Sequence, residues 1–176
     1  MTRSPTLSPA DFDAGIRIGE RLERDMIATR VTNELQLVVV ASRAYLKGRG
    51  RPKTPRDLLS HNCIRFRLPN GELPWRFAQN GKSFEVSVDG TLVVNDVPLA
   101  LRAARDGLGL LQLHWNAVES FIAEGELETV LDDWAPPRIE GFFLYYPSRR
   151  HTRAALRAFV DFLRKAGKVK GRARMP

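Results

Sequence analysis

Cysteine occurs once in the 176 residues, at Cys63. That excludes an intramolecular disulfide and a cysteine-based zinc site. Histidine occurs three times, at His61, His114 and His151. No two of these stand at metal-ligand spacing, and none neighbours a serine in a nucleophile-elbow context. The adjacent acids Asp132 and Asp133 precede Trp134-Ala135-Pro136-Pro137 and read as a solvated loop. Gly107-Leu108-Gly109 is a lone G-x-G that follows a helix instead of a strand, so it reads as a helix C-cap and a tight turn. No apolar run approaches the roughly 20 residues that cross a bilayer. Met1 to Pro9 carries one arginine and no apolar stretch, unlike a secretory signal. These absences point away from an enzyme, a metal site, a cofactor and a membrane protein. They point toward the cytoplasm.

The composition is that of a globular chain, 43% hydrophobic and 27% charged, with a formal net charge of +8. The charge is unevenly placed. Residues 1–43 hold six basic and six acidic side chains, and residues 44–140 hold twelve and thirteen. Residues 141–176 hold ten basic side chains and one acid, Asp161. This excess reads either as a solvated helix face with a basic disordered tail over 167–176, or as a nucleic-acid-binding module.

Residues 1–10 form an irregular lead-in. From Phe12 to Gly19 apolar residues alternate, a strand signal of period two. Leu35 to Ser42 is rich in β-branched residues, and its Val38-Val39-Val40 run predicts a strand buried on both faces in a parallel or mixed sheet. Lys47 to Arg56 holds five basic residues, two glycines and two prolines and reads as a connector. Thr54-Pro55 opens a short helix through Ser60. Strands are expected at Cys63–Phe66, Trp75–Ala78, Phe84–Val88 and Thr91–Val94, separated by the turn signals Pro69-Asn70-Gly71, Asn80-Gly81 and Asp89-Gly90. Asp96 is expected to cap a helix with Val97, Leu101, Ala104 and Leu108 on its apolar face and Gly107 at its stop. A strand over Leu108–Leu113 and a helix over Asn116–Ala123, ending near Gly125, follow. Gly141–Tyr146 is an aromatic strand. Thr152 is expected to cap the last helix, with Leu156, Phe159, Val160 and Leu163 inward. The alternation of strands and helices makes the fold class α/β.

Arg17 stands inside an apolar strand between Gly15 and Gly19. It reads either as an anion-binding arginine at a strand end or as a surface arginine paired with Glu20 or Asp13.

Six stretches occur in the order and spacing of one family: Phe12–Glu20, Val39–Leu46, Pro55–Ile64, Trp75–Phe77, Asn95-Asp96 with Ala103–Leu111, and Leu144–Leu163. Over residues 11–166 the chain resembles the C-terminal effector (substrate)-binding domain of LysR-type transcriptional regulators. The resemblance implies two Rossmann-like lobes of the periplasmic-binding-protein-like (type 2) kind: residues 11–43 with 141–166, and residues 44–140. It implies a non-catalytic sensor of a small molecule, often a carboxylate, that acts as a homo-oligomer. DNA would be reached only through a helix-turn-helix domain. That domain and the opening strand and helix of the first lobe would precede Phe12, where eleven residues stand. An incomplete, N-terminally truncated first lobe is therefore expected, with Ile16, Ile18 and Val38–Val40 exposed and a tendency to self-associate.

The ligand-binding positions implied by the resemblance are Arg17, Ile18 and Gly19 in the first lobe and Arg65, Phe66, Asn95, Asp96, Leu111 and Gln112 in the second. Phe66 reads equally as core, and Asn95 and Asp96 read more readily as a helix cap than as ligand contacts. No catalytic, metal or DNA-binding residue and no cofactor is implied. The competing readings are a periplasmic-type solute-binding protein and the basic nucleic-acid-binding module.

Overall fold

The computed structural model describes residues 13–19, 26–69, 71–147 and 154–167, with side chains as far as residue 163. In chain order the elements are β1 Gly15–Ile18, β2 Met26–Arg30, β3 Leu37–Ser42, α1 Arg43–Arg49, a 3-10 helix Pro55–Ser60, β4 Ile64–Leu68, β5 Gly71–Glu72, β6 Trp75–Gln79, β7 Lys82–Val86, β8 Leu92–Val94, α2 Val97–Arg105, β9 Leu111–His114, α3 Trp115–Ala123, β10 Leu127–Val130, a 3-10 turn Asp132–Trp134, β11 Phe142–Pro147 and α4 Ala154–Gly167. They form two compact units, residues 35–138 and the two terminal segments 1–34 and 139–176.

In the terminal unit β11 lies between β1 and β2, and both pairings are antiparallel. Leu144 and Tyr146 point to one face of this sheet and pack with Val160 of α4, flanked by Ala14, Val31, Leu156 and Leu163. Three of the four inward positions expected on α4 meet this cluster. The fourth, Phe159, is 45% exposed. Ile16 is 55% and Ile18 48% exposed, as expected of the first lobe. Gly141 is required by space: a Cβ there would lie 2.2 Å from the Asn33 carbonyl oxygen. Thr152, His151 and the tail after Gly167 lie outside the described residues.

The central unit is organised by β3. Its pattern of continuous apolar residues is resolved by the period of a strand. Val39 and Ala41 enter one apolar layer with Tyr45, Leu46, Leu58, Trp75 and Phe77. Val38 and Val40 enter the opposite layer with Ile64, Ala100, Leu101, Ala104 and Val118. The larger of these side chains, such as Val, Leu, Ile and Phe, contribute about 1.5–3 kcal/mol each when fully buried. Both faces are therefore covered, as the valine run predicts. The expected exposure of Val38–Val40 is wrong, because all three are at most 3% exposed. Its immediate neighbours β9 and β10 are antiparallel to it. Parallel pairing enters further out, between β4 and β8 and at the Cys63–Leu110 bridge. The sheet is mixed, and β3 belongs to the central unit.

Local chemistry explains the boundaries. The Asp96 Oδ1 accepts from the Leu99 N–H at 2.9 Å, and Pro98 occupies the first turn of α2. At the other end Gly107, at φ 81°, lets its own N–H reach the Ala104 carbonyl while the Leu108 N–H reaches Ala103. That double return closes a helix with its last carbonyls satisfied. The buried face of α2 is Ala100, Leu101 and Ala104. Val97 and Leu108, expected on it, are 36% and 41% exposed. Gly125 ends α3 through the same pair of bonds. Asn80 and Gly81, both at positive φ, make the two-residue turn of the β6–β7 hairpin. The Asp57 Oδ2 accepts from the Lys53 and Thr54 N–H groups and stops the chain ahead of the 3-10 helix.

Other local expectations also depart from the structure. Arg43–Arg49 is helical where a connector was expected to start at Lys47. The Ser42 Oγ accepts from the Tyr45 N–H, and Tyr45 and Leu46 anchor the single helical face. Strands β2 and β10 were not anticipated. Glu128 and Thr129 are half-buried between the apolar Leu127 and Val130, so only two positions of β10 carry the apolar signal.

Candidate functional site

β4 and β8 run parallel in the central unit, the segment leading into β9 joins them at the Cys63–Leu110 bridge, and glycine makes this crossing possible. β4 begins just after Asn62-Cys63. The Asp89-Gly90 segment crosses one side of this backbone and Leu108-Gly109 the other. A Cβ on Gly90 would lie 1.9 Å from the Cys63 carbonyl oxygen, and one on Gly109 2.3 Å from that of Asn62. Asn62 ties the three chain segments together. Its Nδ2 donates to the Leu108 carbonyl at 2.7 Å, and its Oδ1 accepts from the Thr91 N–H at 2.8 Å. Cys63 is fully buried here, and burial pushes its thiol up to about 12, far from a reactive thiolate.

At the opposite, carboxyl end the same strands bring several expected residues together. Phe66 pairs in register with Val94, so it stands beside Asn95 and Asp96, where β8 turns into α2. Phe66 is half-buried against the α2 layer. Asn95 and Asp96 are exposed, and the Asp96 carboxylate is occupied in capping. Arg65 is on the opposite face of β4 from Phe66, and its guanidinium turns back toward the start of the strands, donating to the Gly90 carbonyl at 3.0 Å and to Glu72 at 3.1 Å; its Nε is buried without a protein partner.

Two expected positions have a different role. Leu111 is 1% exposed and belongs to the α2–α3 apolar layer, so its side chain is closed to a ligand. The Gln112 side chain accepts from the Arg76 N–H and donates to the Arg76 carbonyl, both at 2.9 Å. It ties β9 to β6 and lines a mainly apolar pocket with Leu37, Phe77, Leu131 and Pro136.

In the terminal unit Arg17 is half-buried and Ile18 exposed. Register puts Arg17 beside Phe143, and Phe143 beside Arg30, across three strands of one face. The Arg30 guanidinium lies 4.9 Å from the Phe143 ring centre. Gly19 is at φ 77°; its N–H donates to Gly141 and its carbonyl accepts from the Tyr145 hydroxyl at 2.5 Å. Its backbone is therefore committed within the sheet. Glu20, one candidate partner of Arg17, lies outside the described residues.

Sequence reasoning missed the junction of β9 and α3. His114 Nδ1 and Trp115 Nε1 are buried without a protein hydrogen bond. Such groups are ordinarily met by water or a bound ligand. These residues fell between the strand expected over Leu108–Leu113 and the helix expected over Asn116–Ala123, where no pattern singled them out. Burial holds the His114 pKa below its ordinary value. It does the same for His61, where Asp57 pulls weakly the other way. Both histidines are therefore neutral in the fold and charge more readily when it opens. Their contribution is fully present above the unfolded pKa of about 6.5 and is lost as pH falls through the folded values. We expect the urea midpoint to fall between pH 6.5 and 5, above the range in which carboxylates protonate, and to fall less in His114→Phe. A midpoint constant over that interval would refute it.

Among the described residues no three acidic, histidine or cysteine side chains gather as a metal site, and no helix is long and apolar enough to cross a membrane.

Residues 6–168 match the profile of the LysR substrate binding domain. The uncharacterized HTH-type transcriptional regulator YcaN of Escherichia coli is 38% identical over 159 residues, which are 90% of this chain and 51% of that protein. The HTH-type transcriptional regulator PgrR of the same organism is 37% identical over 160 residues, covering 90% and 53%. The full-length structure of the Vibrio cholerae virulence activator AphB, a member of the LTTR family, superposes with a TM-score of 0.78 at 23% identity, covering 94% of this chain and 56% of AphB. The chain thus spans about half the length of the relatives it matches, and it shares the mixed α/β, periplasmic-binding-protein-like fold of their regulatory domains. It belongs to the LysR substrate-binding domain family, a non-enzymatic effector-binding family of transcriptional regulators.

Proposed function

We propose that this chain is the sensing part of a cytoplasmic transcriptional regulator, takes a small carboxylate as effector and works as a homo-oligomer. The observation that carries the ligand class is the carboxyl end of the parallel strands. Open α/β sheets bind ligands there. Phe66 supplies apolar contact there, the start of α2 beside Asn95 and Asp96 adds the Val97 N–H and a favourable dipole, and Arg65, once swung away from Gly90 and Glu72, supplies a guanidinium suited to a carboxylate. Arg17 is the corresponding cation of the terminal unit and Ile18 its apolar neighbour. Gly19 shapes the turn that follows Arg17 and Ile18, while Leu111 and Gln112 hold β9 in place through the α2–α3 layer and Arg76.

Thermal melts in millimolar benzoate, succinate and acetate, each paired with its amide, test the reading. A ligand at 100 times its Kd stabilises the fold by about 2.7 kcal/mol. We expect at least one acid to raise Tm and its amide not to. Arg65→Gln should weaken that acid by roughly 30-fold, the value of a charged hydrogen bond of about 2 kcal/mol. Equal shifts by acids and amides, or an Arg65→Gln chain that folds and binds the acid as well as the parent, would reject the carboxylate assignment.

A further inference from the structure

The central unit holds thirteen basic and twelve acidic side chains, so it is nearly neutral as a whole. Its charge is nevertheless segregated. Six of the basic residues, Arg43, Lys47, Arg49, Arg51, Lys53 and Arg56, fall within fourteen positions that contain no acid. All six are exposed. The residues between them are the reason: Tyr45, Leu46, Pro52, Pro55 and Leu58 are buried and fasten the segment to the core, leaving the cations no direction but outward. The platform is further held by the Trp134 indole, which donates to the Lys53 carbonyl at 3.2 Å, and by Arg51 Nη2, which donates to the Thr129 carbonyl at 2.9 Å.

The nearby acids offset little of this charge. Glu128 is shared between Arg43, at 2.6 Å, and Arg51. The Asp57 carboxylate is turned onto the Lys53 and Thr54 N–H groups. Lys47, Arg49, Lys53 and Arg56 have no ion pair among the described residues. The rest of the unit, apart from Asp57, carries seven basic and eleven acidic side chains. A surface solvated only for solubility would mix the two signs.

We propose that the α1 to 3-10 helix face is a surface that grips the phosphate backbone of double-stranded DNA, independent of base sequence. It rests on the regulator reading only in choosing DNA as the polyanion. A regulator held on DNA presents its sensing domain to flanking duplex at high effective concentration, so a weak, sequence-independent interaction has an effect there that it lacks in free solution. The segment is already ordered by its buried anchors, which lowers the ordering cost of binding.

The test is fluorescence anisotropy of a 20-base-pair duplex of arbitrary sequence, titrated with the full chain from 50 to 200 mM salt. The parent is compared with K47E/R49E/K53E/R56E and with K168E/K170E/R172E/R174E, a charge-matched change in the basic terminal tail. None of the eight is a proposed effector residue. We expect the first variant to bind at least tenfold more weakly at 50 mM salt. The slope of log K against log salt should become shallower by about 0.9 for each phosphate that is no longer neutralised. The tail variant should lose less. Parent-like binding and slope in the first variant, or weakening confined to the tail variant, would overturn the proposal. So would binding to polyglutamate as tight as to duplex DNA, which would point to an acidic protein partner. Effector melts of the same variants keep the two readings apart: a failed DNA interaction leaves the carboxylate response intact, and a failed carboxylate response leaves the DNA interaction intact.

Discussion

Replacing Gly90 with alanine is expected to cost at least about 3 kcal/mol and to leave little folded protein. The new Cβ would lie 1.9 Å from the Cys63 carbonyl oxygen and 2.8 Å from its carbonyl carbon. Backbone cannot give way there as a flexible side chain would. The Cys63 N–H donates to the Asp89 carbonyl at 3.0 Å, and the Ile64 N–H donates to Leu110 at 2.8 Å. The Cys63 strand is thus held from both sides. Moving Asp89-Gly90 away would shift β8 against β4, and with it the Val94–Phe66 register that puts Asn95 beside Phe66. It would also withdraw the Gly90 carbonyl from Arg65. Gly48→Ala is the internal control. Gly48 lies inside α1 with open space around its Cβ position. Alanine there should stabilise the chain by roughly 0.5–1 kcal/mol, the ordinary helix preference. Urea unfolding of the two variants should therefore move in opposite directions. A Gly90→Ala chain within about 1 kcal/mol of the parent would show that the backbone crossing can open without strain.

Phe77→Ala is the second large effect, at about 3–5 kcal/mol. Phe77 is 1% exposed at the centre of β6, inside the layer that also holds Val39, Tyr45, Leu58 and Trp75. Its ring lies 6.0 Å from that of Phe84 across the hairpin, and Phe84 meets Trp134 edge-on at 6.3 Å. Truncation therefore removes transfer free energy, opens a cavity, and breaks one link of an aromatic chain that runs from the hairpin to the 3-10 turn. Two backbone bonds through the Gln112 side chain clamp the adjacent residue, Arg76, to β9, so β6 cannot readily collapse inward to fill the space. Phe77→Leu keeps much of the volume and should cost markedly less. Equal losses in the two variants would mean that ring volume is not what holds β6.

Much of the local structure was legible because it depends on a few adjacent residues. Asp96 with Pro98 and Gly107 brackets α2, and Asn80-Gly81 dictates a tight hairpin turn, whatever lies around them. The β-branched run over Val38–Val40 likewise announced a strand with two apolar faces. The family resemblance carried further, since six ordered stretches reflect a whole chain path. Positions whose state depends on distant neighbours were misread. Leu111 looked available to a ligand, yet α2 and α3 close over it. Val38–Val40 read as open after loss of a neighbouring strand, but β9 and β10 flank β3 on both edges. The Lys47–Arg56 segment reads as a basic loop or connector because its glycines and prolines dominate the local pattern. In the fold, Tyr45, Leu46 and Leu58 fasten it down.

The sequence by itself determined the α/β class, most turns and caps, the family, and which residue types could meet an anion. Those properties follow from backbone preferences and apolar period, which act over a few residues, and from an ordered set of such signals. Only the tertiary structure decided which of those residues keep a free face. It committed the Gly19 backbone to Gly141 and Tyr145, the Gln112 amide to Arg76 and the Asp96 carboxylate to α2. It also left Arg65 Nε and Trp115 Nε1 buried without a protein partner. Hydrogen bonds across the sheet join residues as much as 126 positions apart, and no local pattern reports which partner a polar group will find.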